Sequence, residues 1–138
     1  MSAPTGLMEL EPGGRALRQE GLIQVIADPA VAPVTGAGDC WRGLANLRGG
    51  LIGVADLGVL LGGRPTEGGV MIAIAAQDGD FGLLCEGVRG TRGLPAADAL
   101  PDEPLEGDPD WLLPAPPGEP RIIDVELLLE DPRMKGAP

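Results

Sequence analysis

The sequence predicts an all-β fold, a small barrel or sandwich, on three observations. Short runs rich in Val, Ile and Leu recur, closed by Gly, Pro or Asp turn signals at a spacing of roughly eight to twelve residues. No stretch sustains the 3.6-residue apolar period of a long helix. Glycine (23) and proline (15) are abundant, yet 43% of the 138 residues are hydrophobic, which gives a turn-rich chain dense enough in apolar segments to fold. A chain of this length forms one domain, 1–138, able to bury roughly two-thirds of the surface its unfolded form exposes. Residues 7–130 are expected to be its ordered part and residues 131–138 a loose tail.

Each element follows from local pattern. Leu7-Met8-Glu9-Leu10-Glu11 alternates apolar and polar as a half-buried strand does, Pro12-Gly13-Gly14 turns, and Arg15-Ala16-Leu17-Arg18 returns as a hairpin. Leu22-Ile23-Gln24-Val25-Ile26 is a third strand, ended by Asp28-Pro29 because the residue before proline is pushed out of the helical region. A Pro/Gly loop fills residues 30–39. Residues 41–47 lead into the turn Asn46-Leu47-Arg48-Gly49-Gly50, and residues 51–54 form the next strand. Residues 56–62 form one or two helical turns, with Asp56 as N-cap and Gly62 just past the end. After a loop at residues 62–69, the run Val70-Met71-Ile72-Ala73-Ile74-Ala75-Ala76 is apolar without alternation, a strand buried on both faces. Gln77-Asp78-Gly79-Asp80 carries the Asp-Gly hairpin signal, and residues 81–88 form the return strand. Residues 90–119 are turn-rich and acidic around one apolar island, Trp111-Leu112-Leu113. Residues 121–129 close the fold as a strand passing into a short helix.

Charge and composition exclude several functions. The net charge is −11, with ten Lys and Arg and no two of them adjacent, so nucleic-acid binding and attraction to anionic membranes are not expected. The longest apolar run, residues 51–61, contains Asp56 and is well short of the roughly 20 residues a membrane span needs. The first twenty residues are polar and glycine-rich, unlike a signal peptide, which points to the cytoplasm.

The chain has neither His nor Tyr, which removes the usual general base, the commonest metal ligand and the phenolic acid. Ser2 is the only serine, so no hydrolytic triad can form. Cys40 and Cys85 lie 45 positions apart without a CxxC pair and read as buried free thiols of a reducing compartment. Asp78 and Asp80 lack the remaining ligands of a calcium loop, and the glycine pairs lack the Gly-Lys-Ser/Thr of a phosphate loop. No cofactor, metal or catalytic site is expected.

The residue singled out is Arg48. Glycines at 49 and 50 free the backbone for positive φ, and a guanidinium displayed on such a turn can engage carboxylates or carbonyls bidentately at an interface. Gln24 or Asp56 is expected to hold it.

At this point the chain resembles the CheW-like domain, the adaptor of bacterial chemosensory arrays, over about residues 7–129. The likeness is carried, in order, by Arg15 through Ile26, by Trp41 through Gly49, by Leu51 through Gly62, by Gly82-Leu83-Leu84-Cys85-Glu86-Gly87-Val88, and by Ile122-Ile123-Asp124-Val125-Glu126-Leu127-Leu128. The resemblance implies two interleaved five-stranded SH3-like β-barrels with short helical turns. It implies no catalysis, and two partners: the regulatory domain of a CheA-type histidine kinase and the cytoplasmic tip of a chemoreceptor. It carries protein-interaction roles over to Leu22, Gln24, Ile26, Gly43, Asn46, Leu47, Arg48, Gly49, Asp56 and Leu57. Arg15 and Arg18 stand where the family favours an aromatic and a proline, Gly53 where it has proline, and Gln24 where it usually has a Glu that would pair with Arg48. The wording around Arg48 is similar to that of adaptors in pilus-linked, twitching systems, an alternative to the flagellar role. A reading from another class is a small acidic ligand-binding or enzymatic β-barrel.

Overall fold

Residues 22–85, the middle of the chain, build one sheet, and the segments on either side of them build a second. The computed structural model describes residues 6–96, 98–103 and 107–138. Ser2, named above, lies outside them, as do residues 97 and 104–106 of the acidic stretch.

The predicted hairpin opens the fold. Strands β1 (Leu7–Glu11) and β2 (Arg15–Arg18) pair antiparallel with Leu7 opposite Arg18, and Leu10 and Leu17 turn inward to full burial. The middle segment contributes β3 (Leu22–Ala27), β4 (Trp41–Leu47), β5 (Gly50–Asp56), helix α1 (Leu57–Leu60), β6 (Val70–Ala76) and β7 (Gly79–Cys85). Their order in the sheet is β3-β6-β7-β5-β4, with β5 and β7 parallel and the other pairs antiparallel. The chain beyond β3 runs on to the opposite edge, where Ala32 exchanges backbone hydrogen bonds of 2.8 and 2.9 Å with Leu44 and closes the barrel. Met71 to Ile74 are buried without alternation, as the unbroken apolar run predicts, because β6 sits between two strands with core on both faces.

The predicted return strand, residues 81–88, is two strands. β7 ends at Cys85, the Glu86 amide donates to the Glu11 carbonyl (3.0 Å), and β8 (Gly87–Arg92) pairs with β1 in the other sheet. The outer sheet has the order β8-β1-β2-β9, with β9 (Arg121–Ile122) parallel to β2. This is the all-β architecture expected, built as two mixed sheets. One sheet has five strands and the other four, extended by the bridge between Leu112 and Ile123. Helix α2 (Val125–Glu130) follows, its N-cap Asp124 accepting from the Leu127 amide. Trp111, together with Leu10 and Leu17 from the outer sheet, meets Ile72, Ile74 and Leu83 from the inner one in a shared core sealed by Leu57 and Leu60 of α1. A smaller core of Leu47, Val54, Met71 and Leu84 fills the inner barrel.

The loose tail is corrected. Pro132–Met134 forms a 3₁₀ turn and docks, with Met134 only 5% exposed. The reason is an accounting of polar groups. The Trp41 indole N–H donates to the Met134 carbonyl (3.0 Å), the Trp111 indole to the Asp131 carboxylate (2.8 Å), and the Cys40 thiol to the Arg133 carbonyl (2.7 Å). Buried indoles need acceptors, and this segment supplies both. Arg133 in turn donates to the carbonyls of Val59 and Leu60 at the end of the short α1, the Val59 carbonyl also accepting from the Gly62 amide (2.9 Å).

Met134→Ala should therefore lower the unfolding free energy by about 2–5 kcal/mol, the usual cost of truncating a buried methionine. Urea unfolding measures it, and an unchanged midpoint would return the segment to a loose tail.

Candidate functional site

The turn between β4 and β5 has two central residues, Arg48 at φ 53° and Gly49 at φ 84°. Positive φ at both is the hairpin turn whose twist matches that of the flanking strands. Glycine takes it without strain. Arg48 does not, and it is held there by a local hydrogen bond: the Asn46 side-chain oxygen accepts from the Gly49 amide (3.1 Å). Arg48 is exposed and forms no ion pair or side-chain hydrogen bond among the described residues. Opposite Asn46 in the ladder stands Leu51, 68% exposed. The tip of a rigid hairpin thus presents one free guanidinium and one apolar side chain.

Asp56 does not hold Arg48. It is fully buried at the end of β5, where its carboxylate accepts four hydrogen bonds. One oxygen takes the Gly58 amide (2.8 Å) and the Thr66 hydroxyl (2.7 Å); the other takes the Thr66 amide (2.9 Å) and Arg42 (2.8 Å). Arg42 also donates to the Thr66 carbonyl (2.9 Å). Burial alone would raise the Asp56 pKa, but the bonds from Thr66, Arg42 and the α1 backbone outweigh it and hold the carboxyl below its ordinary value of 3.8. Asp56 caps α1 as the sequence predicts, and it also ties the loop at 62–69 to β4.

Arg42 is the residue that sequence reasoning missed. The ladder register shifts between Trp41 and Gly43, so Arg42 is the extra residue of a β-bulge, and a bulge re-aims a side chain. A signal for it existed: counting back from the turn brings residue 42 beside residues 55 and 56, where a buried carboxylate needs a cation.

The other predicted residues separate by position. Asn46, Arg48, Gly49 and Gln24 are exposed, whereas Leu22 and Ile26 are half-buried on β3. Leu47 and Leu57 are core residues. Gly43 is buried at φ 142°, and a methyl group there would stand 2.0 Å from the Ala32 carbonyl oxygen, so it permits the contact that closes the barrel. Gln24 makes no hydrogen bond to Arg48: β3 and β4 are opposite edges of the sheet, and Gln24 faces Ala73 in the ladder. The structure brings Asn46, Leu47, Arg48 and Gly49 together at the hairpin, and of the β3 residues Ile26 packs against the same inner core as Leu47.

Both cysteines are free and buried. Desolvation raises the Cys40 pKa and pushes that of Cys85 up to about 11, so each stays a protonated thiol at neutral pH.

Comparison with known proteins bears on the fold and the family. The family model described as the CheW-like domain matches residues 15–132. The crystal structure of the scaffolding protein TtCheW from Thermoanaerobacter tengcongensis is similar over 88% of each chain, with a TM-score of 0.71 at 20% identity, a likeness of fold. No curated protein sequence matches the chain.

Two substitutions separate the roles of the glycines. Gly43→Ala should unfold the protein or lower its melting temperature severely, because the new methyl would strike backbone. Gly49→Ala meets nothing within 4 Å and should cost only the left-handed strain of about 1–2 kcal/mol. Asp56→Asn faces two donors with an amide and should cost about 3–5 kcal/mol at neutral pH. The wild-type carboxylate stabilises the fold in full above its unfolded pKa, and that contribution is lost as pH falls through the lower folded value. Acid titration of stability should show this component in the wild type and not in the variant.

Proposed function

Because the chain belongs to the CheW-like domain family, we propose that it is a non-enzymatic chemotaxis adaptor that couples a chemoreceptor to a CheA-type histidine kinase. The observation that carries the reading is the uncommitted Arg48. A cation without a carboxylate of its own, on a backbone set by a two-residue turn, can meet a partner's acceptor without first breaking an internal ion pair. Leu51 beside it offers the apolar contact that such an interface needs at its centre. Coupling on this scaffold is geometric: two partners bound to different faces of one rigid β unit are held in a fixed relative pose. No helix among the described residues is long and apolar enough to cross a membrane, so attachment to a receptor array would run through the receptor's cytoplasmic tip.

Arg48→Ala should weaken capture of the kinase regulatory domain or of the receptor tip by at least about 2 kcal/mol, the cost of losing an interface anchor. Its far-UV circular dichroism and melting temperature should match the wild type, since Arg48 holds nothing inside the fold. Wild-type capture by this variant would sink the reading.

A further inference from the structure

Residues 131–138 belong to neither sheet, yet they are strapped across several parts of the fold. The Asp131 carboxylate accepts from the Trp111 indole, and the Met134 carbonyl from that of Trp41. The Gly38 amide donates to the Gly136 carbonyl (2.9 Å). Arg133 holds the end of α1 through the Val59 and Leu60 carbonyls. The loop before β4 is shaped to receive this segment. A methyl group on Gly38 would stand 2.4 Å from the Lys135 carbonyl oxygen, so backbone meets backbone there. Only one side chain of the strap is fully buried, that of Met134. Its sulfur lies 3.7 Å from that of Cys40, whose thiol also donates to the Arg133 carbonyl.

We propose that residues 131–138 form a latch that opens as a unit while both sheets stay folded, and that its state sets how firmly α1 and the start of β4 are held. The first argument is what opening breaks. It withdraws one apolar side chain and a few hydrogen bonds, and it leaves every strand ladder intact. The groups it uncovers are two indoles, an amide, a thiol and a guanidinium, all of which water can serve once the strap has lifted. Segments with so few buried apolar contacts open below the free energy of global unfolding. Cys85 makes the contrast. It is equally buried, but it lies in β7 between β6 and β5, and reaching it requires the sheet to part. The second argument is what the closed latch joins. The Asp56 amide donates to the Cys40 carbonyl (2.7 Å), so the start of α1 and the start of β4 adjoin, and the strap grips both. Releasing Arg133 and the Met134 carbonyl loosens the two together. The inference stands on the strap's own contacts, independently of the adaptor reading.

The test uses the full reduced chain and the aromatic disulfide dithiobis-nitrobenzoate. An exposed thiolate attacks its sulfur–sulfur bond, forms a mixed disulfide and releases a coloured thiolate. Peptide mass spectrometry assigns the initial rate at each cysteine. Cys40 should be labelled at least about tenfold faster than Cys85, as an opening short of global unfolding implies. The Cys40 rate should stay flat in low urea, whereas that of Cys85 should climb with the surface that global unfolding exposes. Gly38→Ala should hold the latch open, since its methyl strikes the strap and meets Trp41 at an ordinary 3.5 Å. In that variant Cys40 should react like an exposed thiol, while Cys85 stays protected and the far-UV circular dichroism keeps its sheet signal. The proposal is overturned if the two thiols of the wild type react at one rate with one urea dependence, if Gly38→Ala leaves Cys40 as protected as before, or if that variant exposes both thiols alike.

Discussion

The buried carboxylate of Asp56 is the constraint from which much of this structure follows. An unpaired charge in that position would be very costly, so every neighbour is arranged to meet it. Two donors come from Thr66, one from the first turn of α1, and one from a guanidinium that leaves the regular ladder to reach it. The demand of one anion thereby sets the bulge in β4, the direction in which α1 starts and the path of the loop beyond it. Arg42 is spent on this task, and that is why the cation at the other end of the same strand stays free.

A second set of demands comes from the two tryptophans. Trp41 and Trp111 lie in the shared core, and each indole N–H ends on the segment at 131–134. The thiol of Cys40 and the last carbonyls of α1 use the same few residues. Polar groups from β4, α1 and the turn at Trp111 are thus satisfied by one short stretch of chain, which ties these parts together. For a scaffold this matters more than raw stability, because a joint that flexed would blur the pose of whatever it carries.

Much of this was legible in the sequence, and the part that was not has one cause. The β1–β2 hairpin, the turn at Arg48-Gly49, the cap at Asp56 and the doubly buried β6 are set by near neighbours, and local pattern found them. The split of residues 81–88 into β7 and β8, the docking of residues 132–134 and the aim of Arg42 depend on partners far along the chain. Pro132 and Arg133 look like tail residues until an indole some ninety positions earlier needs an acceptor. The same holds for the contact surface. Arg48 was visible from its glycines, but the expected pairing with Gln24 or Asp56 failed because strand order and burial, which local pattern does not encode, place those residues elsewhere.

The nesting of one sheet within the other has a consequence for how the chain reaches this state. Residues 22–85 contain every strand of the inner barrel, so that barrel can assemble from contacts within its own segment. The outer sheet must wait for β8 and β9, which join strands laid down at the start of the chain. Ring closure over such spans is what slows folding in β proteins. On a ribosome the inner barrel could form while β1 and β2 still lack their partners, leaving an apolar hairpin uncovered until the later strands emerge. Synthesis order and fold order thus diverge here: β1 and β2 are made before the inner barrel yet find their full set of neighbours after it.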